Sequence, residues 1–207
     1  MLTDNHIKGI KWEISFLKII EKVFGVPVSE VLYCMCDTED DKKLFDDGFK
    51  DCDEKPILVF NNEEQYKGTD IMLNSISMDL KITDSKYERV YCVLHKINGK
   101  YTYEKTDDTH ILIFVVKNVI YAVPATLIEL IVNRMYIGKD FSDSYYLDKT
   151  KFEEKGMIKN GKFAFCISPQ IFQDCLREYI SCYCQNSNMR YLLHNFKPFE
   201  DTENLFH

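Results

Sequence analysis

The stretch GTDIMLNSISMDLK, from Gly68 to Lys81, decides how this chain is read. Two short apolar runs, Thr69 to Leu73 and Ser77 to Thr83, flank Asn74 and Ser75, residue types suited to a tight hairpin turn. Side chains alternate across a strand, so Ile71 and Leu73 share one face of the first run while Asp70 takes the other. In the second run Met78, Leu80 and Ile82 share a face, and Asp79, Lys81 and Thr83 take the opposite one. A hairpin of this kind permits Asp70 to meet Asp79 and Lys81. Charges set among Ile, Met and Leu mark either a solvent-facing sheet edge or a working site.

Upstream, the spacing predicts one helix from about Ile7 to Phe24, ended by Gly25 and Pro27. At roughly 100° per residue, Ile10, Trp12, Phe16, Leu17, Ile19, Ile20, Val23 and Phe24 fall on one broad apolar arc, with Lys11, Lys18 and Lys22 opposite. Glu13 falls near the middle of that arc. A carboxylate there needs a cation, hydrogen-bond donors or an uncovered patch of helix.

Two carboxylates on neighbouring strands, a lysine two residues after the second and a glutamate from a preceding helix form an oxygen-rich set. Such sets hold Mg²⁺, which keeps several waters and bridges carboxylates to phosphate oxygens. A bound Mg²⁺ lowers the pKa of its water and offsets charge developing at phosphorus. Lys81 is placed to orient or help activate an attacking water and to steady a pentavalent transition state.

These residues resemble the PD-(D/E)xK, or restriction-endonuclease-like, nucleases. The resemblance rests on Gly9-x-x-Trp12-Glu13 in the first helix, on Gly68-Thr69-Asp70 opening a strand, and on Asp79-Leu80-Lys81 in the next. It extends to DDTHILIFVVKNVIYAVPATLIEL, a strand, turn, strand, proline and helix, and so spans residues 7 to about 135. It implies an α/β (α+β) fold with a restriction-endonuclease-like core, a central mixed β-sheet flanked by helices, and an added β-hairpin. It also implies Asp70, Asp79, Glu13 and the Leu80 carbonyl as metal ligands, and Glu13, Asp70, Asp79 and Lys81 as catalytic residues. Mg²⁺ is the implied cofactor, with Mn²⁺ as a substitute. Thr69 stands where the family name has proline, and the eight residues between Asp70 and Asp79 are a short spacing for the family.

With 207 residues, 45% of them hydrophobic, and no repeat or Pro/Gly-rich linker, the chain reads as a single domain. Its expected parts are a core over residues 7–135, an acidic insertion near 37–54 and a C-terminal helical extension over about 139–207. The start of the sequence has no basic leader followed by an apolar stretch, and no run approaches the roughly 20 apolar residues of a membrane span. An intracellular protein, with no membrane partner and with its eight cysteines reduced, is therefore expected. The pairs Cys34/Cys36 and Cys182/Cys184 have one residue between cysteines where structural zinc knuckles have two, which favours free thiols over a metal cluster.

A net charge of -7 argues against nucleic acid until its distribution is examined. Residues 37–54, DTEDDKKLFDDGFKDCDE, carry a balance of -6, which leaves only -1 for the rest of the chain. That segment is expected to be a solvated loop or short helix, lying away from a nucleic-acid substrate or regulating its access. Further strands are expected at Glu88 to Ile97 and Lys100 to Glu104 around Asn98-Gly99, as an antiparallel extension of the sheet, and at His110 to Val116 and Val119 to Val123. Helices are expected from Pro124 to about Met135 and from Gln170 towards Cys184. Lys67, Lys86, Arg89, Lys96 and Lys100 are candidate phosphate contacts near the central hairpin, and Lys105, Lys159, Lys162 and Arg190 are further cations.

The expected function is a Mg²⁺-dependent endonuclease acting on double-stranded DNA. A type II restriction enzyme working as a homodimer heads the readings, because one site per chain and two cuts in a symmetric sequence call for two copies. A homing, junction-resolving, phage-encoded or RNA-cleaving nuclease is the alternative within that class. A non-catalytic module that binds nucleic acid or protein is the alternative outside it.

Overall fold

A computed structural model of the chain describes residues 4–60, 69–82, 90–98, 100–103, 110–116, 119–131, 145–146, 162–167 and 169–199. The first helical stretch is broken in two, α1 (Asp4–Leu17) and α2 (Ile20–Phe24), where a single helix is expected. The Ile19 amide bonds back to the Phe16 carbonyl, three residues away, so the backbone tightens between the two helices. The physical reason lies in the apolar residues Phe16, Leu17, Ile19 and Ile20, which occupy too wide an arc for one straight stripe and are all buried once the axis bends. Gly25 ends α2 at φ 69°, donating its amide to Glu21, as a left-handed cap requires.

The main sheet has six strands in the order β2-β1-β3-β4-β7-β8. They are β1 (Leu32–Met35), β2 (Ile57–Phe60), β3 (Ile71–Leu73), β4 (Ile76–Ile82), β7 (Ile111–Val116) and β8 (Val119–Pro124). It is a mixed sheet, with β1/β2 and β4/β7 parallel and the other pairs antiparallel. Every residue of β7 is buried, which explains why ILIFVV is continuously apolar rather than alternating. β1 has no counterpart among the expected elements, because Leu-Tyr-Cys-Met offers no alternation to read.

A second, four-stranded sheet has the order β6-β5-β10-β9. Its members are β5 (Val90–Ile97), β6 (Lys100–Tyr103), β9 (Tyr145–Tyr146) and β10 (Lys162–Ile167), all antiparallel. The Asn98-Gly99 hairpin is thus real, with Asn98 at φ 50°, but it does not extend the main sheet. The region expected as a C-terminal helical extension, about 139–207, contributes β9 and β10 to this second sheet as well as helices. The pairing of β5 with β10 joins segments some 70 residues apart, which no local pattern encodes.

α4 (Ala125–Leu130) follows Pro124 directly, and the rest of the helix expected as far as Met135 lies outside the described residues except Ile131. α5 (Pro169–Cys182) packs on α4 and β8, and α6 (Ser187–Asn195) packs on α2 and α5. Phe172, Leu176, Tyr179, Ile180, Met189, Leu192 and Leu193 from these two helices are buried in the core. These residues of α5 and α6 therefore cover this chain's own interior.

Of the loop and the short helix expected for the acidic segment, the helix is found. It is α3 (Glu39–Phe49), capped by the Thr38 hydroxyl, which accepts the Asp41 amide at 3.1 Å. Asp41, Phe45 and Phe49, spaced four apart, form its buried stripe, while Glu39, Asp40, Asp46 and Asp47 face solvent. The stripe packs on α1 so closely that a Cβ at Gly48 would lie 2.8 Å from Ile14 Cγ2. Phe45 also stacks on Tyr33 of β1, with ring centroids 5.9 Å apart.

Candidate functional site

The site begins with a two-residue turn. Asn74 and Ser75 have φ 49° and 64°, both left-handed, so β3 and β4 are joined by the primed turn whose twist matches that of paired strands. The turn sets the register Ile71↔Met78, Met72↔Ser77 and Leu73↔Ile76. Asp70 lies immediately before the first registered pair, its amide bonded to the Met78 carbonyl at 3.2 Å, which brings it close to Asp79. Their carboxyl groups are hydrogen-bonded to each other.

β3 ends at this point while β4 runs on to Ile82, so among the described residues the end of β4 has no strand on its β3 side. Met78 accepts the Asp70 amide at 3.2 Å, whereas Ser77 accepts His110 on the β7 side at 3.1 Å, so alternation turns the Leu80 peptide groups towards Asp70. The Leu80 amide is satisfied by Asp70 Oδ2 at 2.8 Å. The Leu80 carbonyl, by the same alternation, lies on the side that β3 vacates. Main-chain logic thus places two carboxylates and one carbonyl around a gap in the sheet.

Lys81 shares the Asp79 face, and its Nζ lies 2.7 Å from Asp79 Oδ1. The environments of the two differ sharply: the Asp79 side chain is 2% exposed and the Lys81 side chain 40%. The ion pair therefore links a buried acid to a solvent-reaching base, with the ammonium free to follow a group that approaches from water. Glu13, from α1, completes the set. The Tyr33 hydroxyl donates to Glu13 Oε2 at 2.7 Å, so the carboxylate on the apolar arc has a dedicated donor.

Three acids in so small a volume cannot all be ionised at no cost. Burial holds the Asp70 carboxyl well above the usual carboxylate range, and the charges of Glu13 and Asp79 push it further the same way. Burial also raises Glu13, against the Tyr33 hydrogen bond and the nearby His6, which favour its charged form. Burial and the Glu13 charge drive the Tyr33 phenol upwards, so it stays a neutral donor. The Cys34 thiol beside the site is pushed up to about 12 by burial and then by Asp70, which makes it an inert thiol rather than a ligand or nucleophile.

The donor set is carboxylate and carbonyl oxygen, the chemistry of a hard divalent cation and not of zinc or a cluster. Among the described residues no three His, Cys, Asp or Glu side chains stand in a ready-made metal-binding group. The carboxylates are instead held by each other, by the Leu80 amide, by Tyr33 and by Lys81. A cation bound here would offset the negative charge now balanced at Asp79 by the Lys81 ammonium. The residues fit Mg²⁺ or Mn²⁺ in donor type and in net negative charge.

Glu13, distant in the sequence, is thus brought together with Asp70 and the consecutive residues Asp79, Leu80 and Lys81. Of the candidate phosphate contacts, Lys96 and Lys100 lie on the β5/β6 hairpin of the second sheet, while Lys67, Lys86 and Arg89 lie outside the described residues. Lys105 and Lys159 lie outside them as well. Arg190 donates to the Cys184 carbonyl and serves the connection between α5 and α6.

Sequence reading missed Tyr33, Asp41 and His6, which surround the cluster. His6 Nε2 stands 3.2 Å from Asp41 Oδ1. The signal for Asp41 was its four-residue spacing from Phe45 and Phe49, masked by the charge around it. No helix among the described residues is long and apolar enough to cross a membrane. Comparison with known protein families, with characterised proteins and with solved structures finds no match to this chain.

Proposed function

We propose that the chain is a divalent-cation-dependent phosphodiesterase, a Mg²⁺-dependent DNA endonuclease with a restriction-endonuclease-like core, in which Asp70, Asp79 and the Leu80 carbonyl hold the cation. The observation that carries this reading is the Asp70 carboxyl bonded to the Leu80 amide, next to a buried Asp79 that holds Lys81 on its own face. A sheet edge decorated by chance does not bury an aspartate to 2% exposure. Nor does it leave two carboxyl groups hydrogen-bonded to each other, at the expense of raising the pKa of one.

When bound, Mg²⁺ supplies a water of lowered pKa and positive charge facing the phosphate. The chain supplies position. Asp70 and Asp79 would present their oxygens from segments held together by the tight turn, once Asp79 exchanges Lys81 for the cation. Lys81, half in solvent, leaves Asp79 for the phosphate side, where its ammonium orients the attacking water and offsets charge in the pentavalent transition state. Glu13, held by Tyr33, would add a further carboxylate to the residues that hold the cation. The described residues of each chain supply one such centre, so cutting both strands of a duplex would be the work of two copies.

The test is incubation of supercoiled and linear DNA with the purified protein in Mg²⁺, Mn²⁺ or EDTA, beside Asp79→Ala and Lys81→Ala. Cation-dependent cutting that falls by at least roughly a hundredfold in either variant is expected. Cutting that survives both substitutions overturns the assignment. The exposed acids of α3 favour a second reading, a protein-binding module, and failure to cut any DNA or RNA supports it.

A further inference from the structure

α3 begins with Thr38-x-x-Asp41, the spacing of a capping box in which the fourth side chain turns back to the amide of the first. Only half of that box is made. The Thr38 hydroxyl accepts the Asp41 amide, but the Thr38 amide is taken by the Cys36 carbonyl at 3.0 Å. The Asp41 carboxylate points into the protein, 0% exposed, with Oδ1 at 3.2 Å from His6 Nε2 and Oδ2 buried without a hydrogen-bond partner. An aspartate placed so costs stability that a solvent-facing cap would not. His6 and Glu13 lie seven residues apart on α1, two turns along one face. His6 and Asp41 are near enough to act electrostatically, His6 on Glu13 and Asp41 on the Tyr33 hydroxyl that holds Glu13.

We propose that Asp41 and His6 are positioning residues for the cation site: Asp41, from α3, fixes the His6 ring on α1, and the pair together with Tyr33 holds Glu13 in place beside Asp70 and Asp79. The inference rests on the cation-site reading and deepens it. It gives the acidic helix a function distinct from solubility: its exposed face is solvated, while its one inward carboxylate ties the helix to the site. Partners behind a metal-binding carboxylate of this kind are worth roughly ten- to a hundredfold in metal affinity.

The experiment is calorimetric titration of Mn²⁺ into the whole chain, checked by electron paramagnetic resonance of the unbound ion, for the wild type, Asp41→Asn, His6→Gln, the double variant and Asp79→Ala. The expected result is Mn²⁺ affinity lowered about tenfold by either single substitution, and no further by the double, because both act through one contact. His6 is partly exposed, so His6→Gln preserves the fold even if Asp41→Asn does not. A wild-type affinity in His6→Gln, with binding abolished by Asp79→Ala, overturns this inference and leaves the cation site standing. Losses that simply add in the double variant also overturn it. Absence of Mn²⁺ binding in the wild type overturns the cation site and the inference together.

Discussion

Asp70 is the residue on which opposing demands meet. It closes the exposed end of β4 by accepting the Leu80 amide, yet it shares its surroundings with Asp79 and Glu13. Its folded pKa is raised, so between the ordinary carboxylate value of 3.8 and that raised value the folded state holds a proton that the unfolded state has lost. Stability from this group is therefore complete below the ordinary value and falls as pH rises through the raised one. Asp70→Asn keeps an acceptor for Leu80 and has no charge to bury. The variant is expected to match the wild type near pH 4 and to exceed it by about 1 kcal/mol at pH 8, in urea unfolding without divalent cation. A difference that does not grow with pH would show that Asp70 is ionised without penalty. The buried acids thus impose a stability cost that only a cation, or a substitution, removes.

Among the elements, the β3/β4 hairpin matters most because its turn sets the register that brings the two aspartates close. A slip of one residue would send Asp79 and Lys81 to the other face of the sheet. Both turn residues lie in the left-handed region, where a non-glycine side chain costs roughly 1 kcal/mol or more. Ser75→Gly relieves that strain, and Asn-Gly is the preferred pair for this turn. It is expected to stabilise the fold by about 0.5–1 kcal/mol, after allowing for the greater freedom of glycine in the unfolded chain, with metal affinity unchanged. Thermal unfolding and Mn²⁺ titration of the variant check both halves; a loss of stability would mean that Ser75 contributes something beyond conformation. α3 carries a second lesson. Its composition reads as solvated surface, but Asp41, Phe45 and Phe49 recur every four residues and bury a stripe against α1.

For the molecule as a whole, the proposed cation site would join parts that are otherwise separate: α1 contributes Glu13, the residue before β3 is Asp70, β4 contributes Asp79 and Lys81, and α3 packs on α1. A ligand that binds only when these parts are assembled stabilises the assembly by mass action, by about 2.7 kcal/mol at a hundred times its dissociation constant. Mn²⁺ at that excess is expected to raise the urea midpoint of the wild type, to lose the effect on addition of EDTA, and to leave Asp79→Ala unmoved. An equal rise in Asp79→Ala would locate the binding elsewhere in the chain.

The hairpin, the buried β7 strand, the Gly25 helix stop and the Asp70–Asp79–Lys81 grouping were all legible in the residues, because turn chemistry and side-chain alternation act over a few positions. The same holds for the oddity of Glu13, visible as a carboxylate on an apolar arc. What no local pattern specified was the company these residues keep. The break between α1 and α2 arises because a wide apolar arc must be buried on more than one side. The removal of the β5/β6 hairpin to a second sheet follows from its pairing with β10, and Tyr33, Asp41 and His6 join the site only through the packing of β1, α3 and α1. Short-range geometry is written into neighbouring residues, whereas burial and charge balance depend on which distant surfaces meet, and only the tertiary structure decided that.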